Sequence, residues 1–120
     1  MRFYRKDRVS SLIQEELGAL LLREMEFHGA LVTIMGVDVS KDLEVAHVDV
    51  SVLPSERAEE VLRLLHGAQK HLQFLLLRKL NIMPMPKILF RIDHGPEHAA
   101  AVEKALLEDD NRGTNNLLSL

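Results

Sequence analysis

The spacing of apolar and polar residues along the chain predicts a helix and a β-hairpin in its first half. Between residues 8 and 25 apolar side chains recur every three or four positions, which is the spacing of an amphipathic helix. Residues 31–39 are rich in β-branched side chains, and residues 43–53 alternate apolar and polar positions as a half-buried strand does. Residues 40–42, Ser-Lys-Asp, supply the turn. Gly36 marks a bulge or a point of close approach in the first strand.

The second half of the chain predicts a long helical segment and a third strand. Pro54 stops the second strand, Ser55 offers an oxygen that caps the next helix, and helical spacing continues over residues 58–80. Gly67 interrupts that spacing, so the pattern indicates either one long helix with a kink or two helices. Residues 87–92 alternate again, which predicts a strand.

The predicted elements form one domain. Residues 1–107 suffice for a single core and include a short C-terminal helix from about residue 96, while residues 108–120 lack a periodic face and predict a flexible tail. Three strands with the helices packed on one face of the sheet make a two-layer α+β fold.

Composition narrows the class of protein. The chain has no cysteine, which suits a reducing cytosol and leaves no thiolate site for a metal or for catalysis. Its N-terminus lacks the pattern of a signal peptide, and no apolar run approaches the roughly 20 residues of a membrane helix. We therefore expect a cytoplasmic protein without a membrane segment.

Positive charge is concentrated in two segments of a chain whose formal net charge is -3 at pH 7. Residues 61–92 contain six basic residues and no acid, and residues 1–8 contain four basic residues against one acid. Such concentration favours binding to a polyanion. The alternative is a buried helix whose Lys and Arg side chains reach past the core to water.

RNA phosphates are the expected targets of these cations, since Lys suits a point contact and Arg can bind two oxygens. Aromatic residues make up only 4% of the chain and Trp is absent, so we expect contact through phosphates rather than base stacking. Arg5, Lys6 and Arg8, which are three of the candidates, equally suit a frayed terminus whose charge only favours solubility. The candidate RNA-binding residues are Arg5, Lys6, Arg8, Arg63, Lys70, Arg78 and Lys79.

The order of elements resembles the type II KH domain, and within it the ribosome-binding factor A family. The resemblance covers residues 5–107 and depends on three groups of residues. The start of the first helix has Arg5, Arg8 and Val9, and the third strand with its flanks has Pro86, Ile88, Phe90 and Asp93. The hairpin has Val39, Ser40, Lys41, Asp42 and Leu43, followed by Ala46, Val48, Val50 and Ser51. It implies the order helix, strand, strand, helix, kink, helix, strand. It also implies a ribosome-assembly factor, monomeric when free, that binds the small ribosomal subunit and its ribosomal RNA and assists late maturation and rRNA processing without catalysing a reaction.

One departure from the family concerns the helix kink. The family has an Ala-x-Gly kink, and the matching residues here begin with Gly67 and Ala68 and end with Lys70. A Lys does not readily take the positive φ that Gly allows. The resemblance therefore implies a kink moved to Gly67, and the Lys that replaces the glycine is an added candidate for binding a phosphate.

Other interpretations compete with RNA binding. His94 and His98 lie four apart with a Glu between them, but the HExxH order of zinc proteases is absent, so we predict surface or capping histidines and no metal. No nucleophile elbow, P-loop or dinucleotide fingerprint is present, which predicts a protein that is not an enzyme and has no cofactor. The leucine-rich run of residues 72–80, with Leu75, Leu76 and Leu77 consecutive, offers the main alternative: an apolar face for a protein partner or a second copy.

Overall fold

The computed structural model describes residues 5–94, in which two helices pack against a three-stranded sheet. The predicted α+β fold is confirmed. The short helix predicted from about residue 96 and the tail predicted over residues 108–120 lie outside the described residues. In chain order the elements are α1 (Lys6–Glu24), β1 (Leu31–Val39), β2 (Val45–Leu53), a 3-10 turn (Ser55–Arg57), α2 (Ala58–Leu80) and β3 (Lys87–Ile92).

The sheet has the order β1-β2-β3, so β2 is its central strand. β1 and β2 pair antiparallel as the predicted hairpin, and β3 pairs parallel to β2 after the crossover through α2. The register shifts where Ile34 faces Val50 but Gly36 faces Asp49, which makes Met35 the extra residue of a bulge. The bulge predicted near Gly36 is therefore confirmed.

One face of the sheet and one stripe of each helix form the core. The alternate residues of β2 that include Val48 and Val50 are buried, whereas the residues between them are half-buried on the other face. The helices bury residues at steps of three and four, so the period read from the sequence decides which side faces the sheet. These helix residues are Val9, Ile13, Leu17, Leu20 and Leu21 of α1, and Ala58, Val61, Leu65, Leu72 and Leu76 of α2.

The predicted cap at Ser55 is wrong, because a 3-10 turn precedes α2. No side-chain hydrogen bond caps the turn or the helix. The backbone N–H of Arg57 donates to the carbonyl of Pro54 at 3.1 Å, and that of Ala58 donates to the carbonyl of Ser55. Backbone carbonyls thus accept the hydrogen bonds that a Ser hydroxyl would otherwise accept.

The segment around Gly67 forms part of one continuous helix of 23 residues, so the alternative of two separate helices is wrong. Gly67, Ala68 and Lys70 all lie inside α2, and the backbone of Lys70 does not take a positive φ. Burial of Leu65 before the glycine and Leu72 after it offsets the helix-breaking tendency of Gly. A bend at Gly67 stays a prediction.

Gly67→Ala is expected to raise the free energy of unfolding by about 1 kcal/mol, because Ala favours the helix more than Gly does. The backbone of Gly67 is helical and does not have a positive φ that only glycine would adopt readily. No neighbouring atom lies within 4 Å of the position that a Cβ at Gly67 would take. Gly18→Ala in α1 is the matched control, since that glycine is also helical and also has open space around it. Urea denaturation of both variants measures the change. A loss of stability at Gly67 alone would contradict this expectation and support a kink that Ala cannot adopt.

Two glutamines of α2 fix the helix against the outer edge of β3. The side-chain amide of Gln73 donates to the carbonyl of Pro86 at 2.7 Å, and the backbone N–H of Ile88 donates to its side-chain oxygen at 2.8 Å. Gln69 donates to the carbonyl of Ile88 at 3.0 Å. These side chains form hydrogen bonds with backbone groups that an edge strand would otherwise leave unpaired.

Candidate nucleic-acid interface

The outer face of α2 carries a stripe of exposed side chains, which we call the α2 stripe and define as Arg63, Lys70, Phe74 and Arg78. Each of these residues is two positions from one of the buried leucines Leu65, Leu72 and Leu76. Two positions correspond to about 200° around a helix, so the stripe points away from the sheet. Gly67 lies on the same face and leaves the helix backbone uncovered there.

The cations of the α2 stripe have no acidic residue beside them on their own helix beyond its first turn, which contains Glu59 and Glu60. Glu60 is bound by Arg57, and this hydrogen bond is the main reason why the pKa of Glu60 lies below its ordinary value. Within the described part of the chain, no salt bridge involves Arg63, Lys70 or Arg78. The charges of Lys70 and Arg78 are therefore available to an anionic ligand, whereas Arg63 lies one turn after Glu59 and Glu60.

Lys79 points toward α1 rather than along the stripe. Together with Arg78 it lines a cleft of about 270 Å³ between the helices, whose α1 side is formed by Glu16, Leu20 and Arg23. Cations in the last turn of a helix are also favoured by the helix dipole, so this position has a structural explanation as well. Lys79 can contact a ligand only where the ligand approaches the cleft.

The two helices run antiparallel, which brings the two basic segments to one end of the molecule. The ring of His71 contacts the carboxylate of Glu24 at 3.1 Å, while Glu16 lies beside Lys79. α1 therefore begins beyond the end of α2. Residues 5–8 lie about 12–17 Å past the level of Glu16 along the axis of α1.

Not all the predicted cations fall into one cluster. Arg5, Lys6 and Arg8 are exposed at the start of α1, on the side of the molecule where α2 ends with Arg78 and Lys79. Arg63 lies 15 residues before Arg78, or about 22 Å along the axis of α2. The structure thus brings these five candidates toward one end, places Lys70 on the approach to it, and leaves Arg63 at the other end.

Glu24 of α1 contacts His71 near the middle of α2. The hydrogen bond from His71 lowers the pKa of Glu24 below its ordinary value, with Arg23 contributing in the same direction. The contact between His71 and Glu24 thus links α2 to the end of α1 at this point.

Phe74 is a residue of this face that the sequence analysis missed. Its side chain is 54% exposed, and the guanidinium carbon of Arg78 lies 5.6 Å from the centre of its ring. That distance is a cation–π contact. The low aromatic content hid the position of this one ring, although its spacing of four from both Lys70 and Arg78 is visible in the sequence.

The leucine-rich run of residues 72–80 belongs mainly to this chain's own core. Leu72 and Leu76 are fully buried, and Leu75 and Leu80 pack against the core. Leu77 is 43% exposed. An exposed Leu beside an exposed Phe makes a patch well below the several hundred Å² that mark an interface between proteins.

Within residues 5–94, no group of three or more His, Asp or Glu side chains is arranged to hold a metal ion. His94 is described, whereas His98 lies outside the described residues. In the same part of the chain, neither helix is long and apolar enough to cross a membrane.

A three-stranded α+β fold of the KH type with a cationic helix face is typical of proteins that bind nucleic acid. Residues 5–106 match the family described as ribosome-binding factor A. The chain is 36% identical over 107 residues to ribosome-binding factor A of Chlorobium limicola, which covers 87% of this chain and 90% of that protein. It is 33% identical over 105 residues to the same factor of Pelodictyon phaeoclathratiforme, covering 85% of this chain and 88% of the relative.

Solved structures give the same result. The crystal structure of ribosome-binding factor A from Thermus thermophilus has a TM-score of 0.57 and 28% identity, and the match covers 74% of this chain and 97% of that one. A model of Thermus thermophilus RbfA fitted into a cryo-EM map of a 30S-RbfA complex has a TM-score of 0.59 and 25% identity, covering 70% and 90%. The protein belongs to the ribosome-binding factor A family, which confirms the resemblance read from its sequence.

Proposed function

We propose that this protein is a cytoplasmic ribosome-assembly factor that binds the small ribosomal subunit as a monomer and assists late maturation and processing of its rRNA. The observation that carries the proposal is the exposed cationic face of α2 in a chain of this family. The Thermus thermophilus relative fitted into a map of its 30S complex supports the choice of subunit. No catalytic step is required of the protein in this role.

The proposed binding surface extends from Lys70 to the end of α2 and on to the start of α1. Lys70 and Arg78 lie on the same face about 12 Å apart along the helix axis, so their long side chains can contact two phosphates of one RNA strand. Lys79 and residues 5–8 add charge where the strand would continue. Arg63, at the far end, would contact RNA only if the strand followed the whole length of the helix.

The double variant Lys70→Glu/Arg78→Glu tests this surface. We expect its affinity for purified small subunits to fall at least about tenfold, and the slope of log affinity against log salt to become shallower by about 2, because two phosphate contacts are lost. Co-sedimentation with small subunits over a series of salt concentrations measures both quantities. Large subunits serve as the control for non-specific binding.

Lys41→Glu/Lys87→Glu is the matched control, since it changes the net charge by the same amount and both lysines are exposed outside α2. It should leave binding almost unchanged. Equal losses for the control and the double variant would mean that only net charge matters, and the assignment of the α2 surface would then be wrong. If the unmodified protein sediments with neither subunit at any salt concentration, the proposed function itself is wrong.

A further inference from the structure

Phe74 differs in position from the other two phenylalanines that the structure describes. Phe90 is buried in the core and Phe27 packs against it, whereas Phe74 exposes about half of its surface on the face of α2 that points away from the sheet. The ring therefore contributes little to the core. Singly exposed apolar side chains are common on protein surfaces, so the neighbours of this ring, rather than its exposure, distinguish the position.

The surroundings of the ring are cationic. Arg78, one turn after Phe74, holds its guanidinium carbon 5.6 Å from the ring centre, and Lys70 lies one turn before it on the same face. No Asp or Glu occurs between Val61 and Leu80. A cation–π pair would by itself explain the contact with Arg78, but it explains neither the exposed remainder of the ring nor the second cation at Lys70.

The charges decide which ligand fits. A protein partner would need a wider apolar area than Phe74 and the exposed Leu77 provide. An RNA strand combines the two features that this face offers, a flat aromatic surface for a base and cations for the phosphates on either side of it. Proteins that bind single-stranded nucleic acid use the same combination.

We propose that Phe74 is a stacking platform for an unpaired base of RNA, with Lys70 and Arg78 binding the flanking phosphates. This inference rests on the proposed function and narrows its ligand to a single-stranded segment. Bases inside a duplex are stacked on each other and cannot reach an exposed ring on a helix. The low aromatic content of the chain predicts phosphate contacts alone, and the position of Phe74 adds base stacking to them.

The chain has no tryptophan, so Phe74→Trp introduces a single fluorescent reporter at the proposed platform. The probes are a short single-stranded RNA, a strand of the same length and charge without bases, and a duplex. We expect the single-stranded RNA to quench the tryptophan strongly and the two other probes to leave it almost unchanged. The control is Leu22→Trp, because Leu22 is 89% exposed on α1 beside β1, away from the α2 stripe.

Affinities of unlabelled variants give a second test. Phe74→Leu keeps an apolar side chain but removes the aromatic face, and it should weaken binding of the single-stranded RNA by about tenfold. Phe74→Tyr should preserve binding. Neither variant changes the charge, so the salt dependence should stay as in the unmodified protein.

The outcomes separate this inference from the function on which it rests. If the tryptophan of Phe74→Trp is not quenched, or Phe74→Leu binds as tightly as the unmodified protein, while small subunits are still bound, the stacking platform is wrong and the proposed function stands. Equal quenching by the strand without bases would also overturn it. Quenching by single-stranded RNA in a protein that fails to bind small subunits would support the platform and contradict the proposed function.

Discussion

Leu76→Ala is expected to lower the free energy of unfolding by about 2–5 kcal/mol, because it opens a cavity in a core that relaxes only partly. Leu77→Ala, at the next position in the chain, should change it by no more than about 0.5 kcal/mol. Leu76 is fully buried against the sheet, whereas Leu77 is 43% exposed. The two substitutions remove the same atoms from the same helix, so the difference between them reports burial alone.

Urea denaturation at neutral pH measures both changes, with the slope of the transition checked for constancy. Similar losses at the two positions would contradict the placement of α2 on the sheet. A Leu77→Ala protein that keeps its stability but loses a dimer in sedimentation would instead revive the alternative that the leucine-rich run binds a second copy. The pair therefore tests the fold and the competing function together.

The sequence was sufficient to predict those elements whose bounds depend on local chemistry. β3 occupies residues 87–92 as predicted, because Pro86 precedes it and the side chains alternate from there. The hairpin was also predictable, since Ser40 and Asp42 form the turn: the Ser40 hydroxyl donates to Asp42 at 2.6 Å, and the backbone N–H of Glu44 donates to the same carboxylate at 3.1 Å.

Features that depend on tertiary packing were not predictable in the same way. Three consecutive leucines at 75–77 look alike in the sequence, and only the rotation of α2 on the sheet decides that the middle one is buried. The 3-10 turn before α2 also depends on tertiary contacts, because the Arg57 side chain in that turn donates to the carbonyls of His28 and Phe27, 29 and 30 residues earlier. No local pattern contains such a contact.

The candidate site was likewise only partly predictable from the sequence. The concentration of cations in residues 61–92 was visible from the sequence, but the antiparallel packing that brings residues 5–8 toward Arg78 was not. Phe74 was overlooked for another reason. A count of aromatic residues carries no information about position, and a single exposed ring between two cations matters more than the total.

The rotation of α2 is therefore what places the α2 stripe in solvent. The buried leucines alone would tolerate some rolling of the helix on the sheet, since apolar contact is not directional. Hydrogen bonds from Gln69 and Gln73 to the edge of β3 are directional and hold the helix at one angle. The same contacts that complete the sheet edge thus help to orient the proposed RNA-binding face.

Gln73→Leu is expected to lower the free energy of unfolding by about 2–3 kcal/mol, because two partly buried backbone groups lose their partner and the leucine cannot replace it. The groups are the carbonyl of Pro86 and the N–H of Ile88, at 2.7 and 2.8 Å from the glutamine. Gln14→Leu is the matched control, since Gln14 is exposed on α1 and forms no side-chain hydrogen bond within the described residues. It should change stability by less than about 0.5 kcal/mol.

Urea denaturation compares the two variants, and hydrogen exchange at the amide of Ile88 reports the local effect directly. We expect that amide to exchange faster in Gln73→Leu while the amides in the middle of β2 remain protected, because the loss begins at the edge of the sheet. Unchanged exchange at Ile88 would show that water replaces the glutamine at no cost, and the glutamines would then have no part in orienting α2. A smaller effect on stability than in the Gln14 control would lead to the same conclusion.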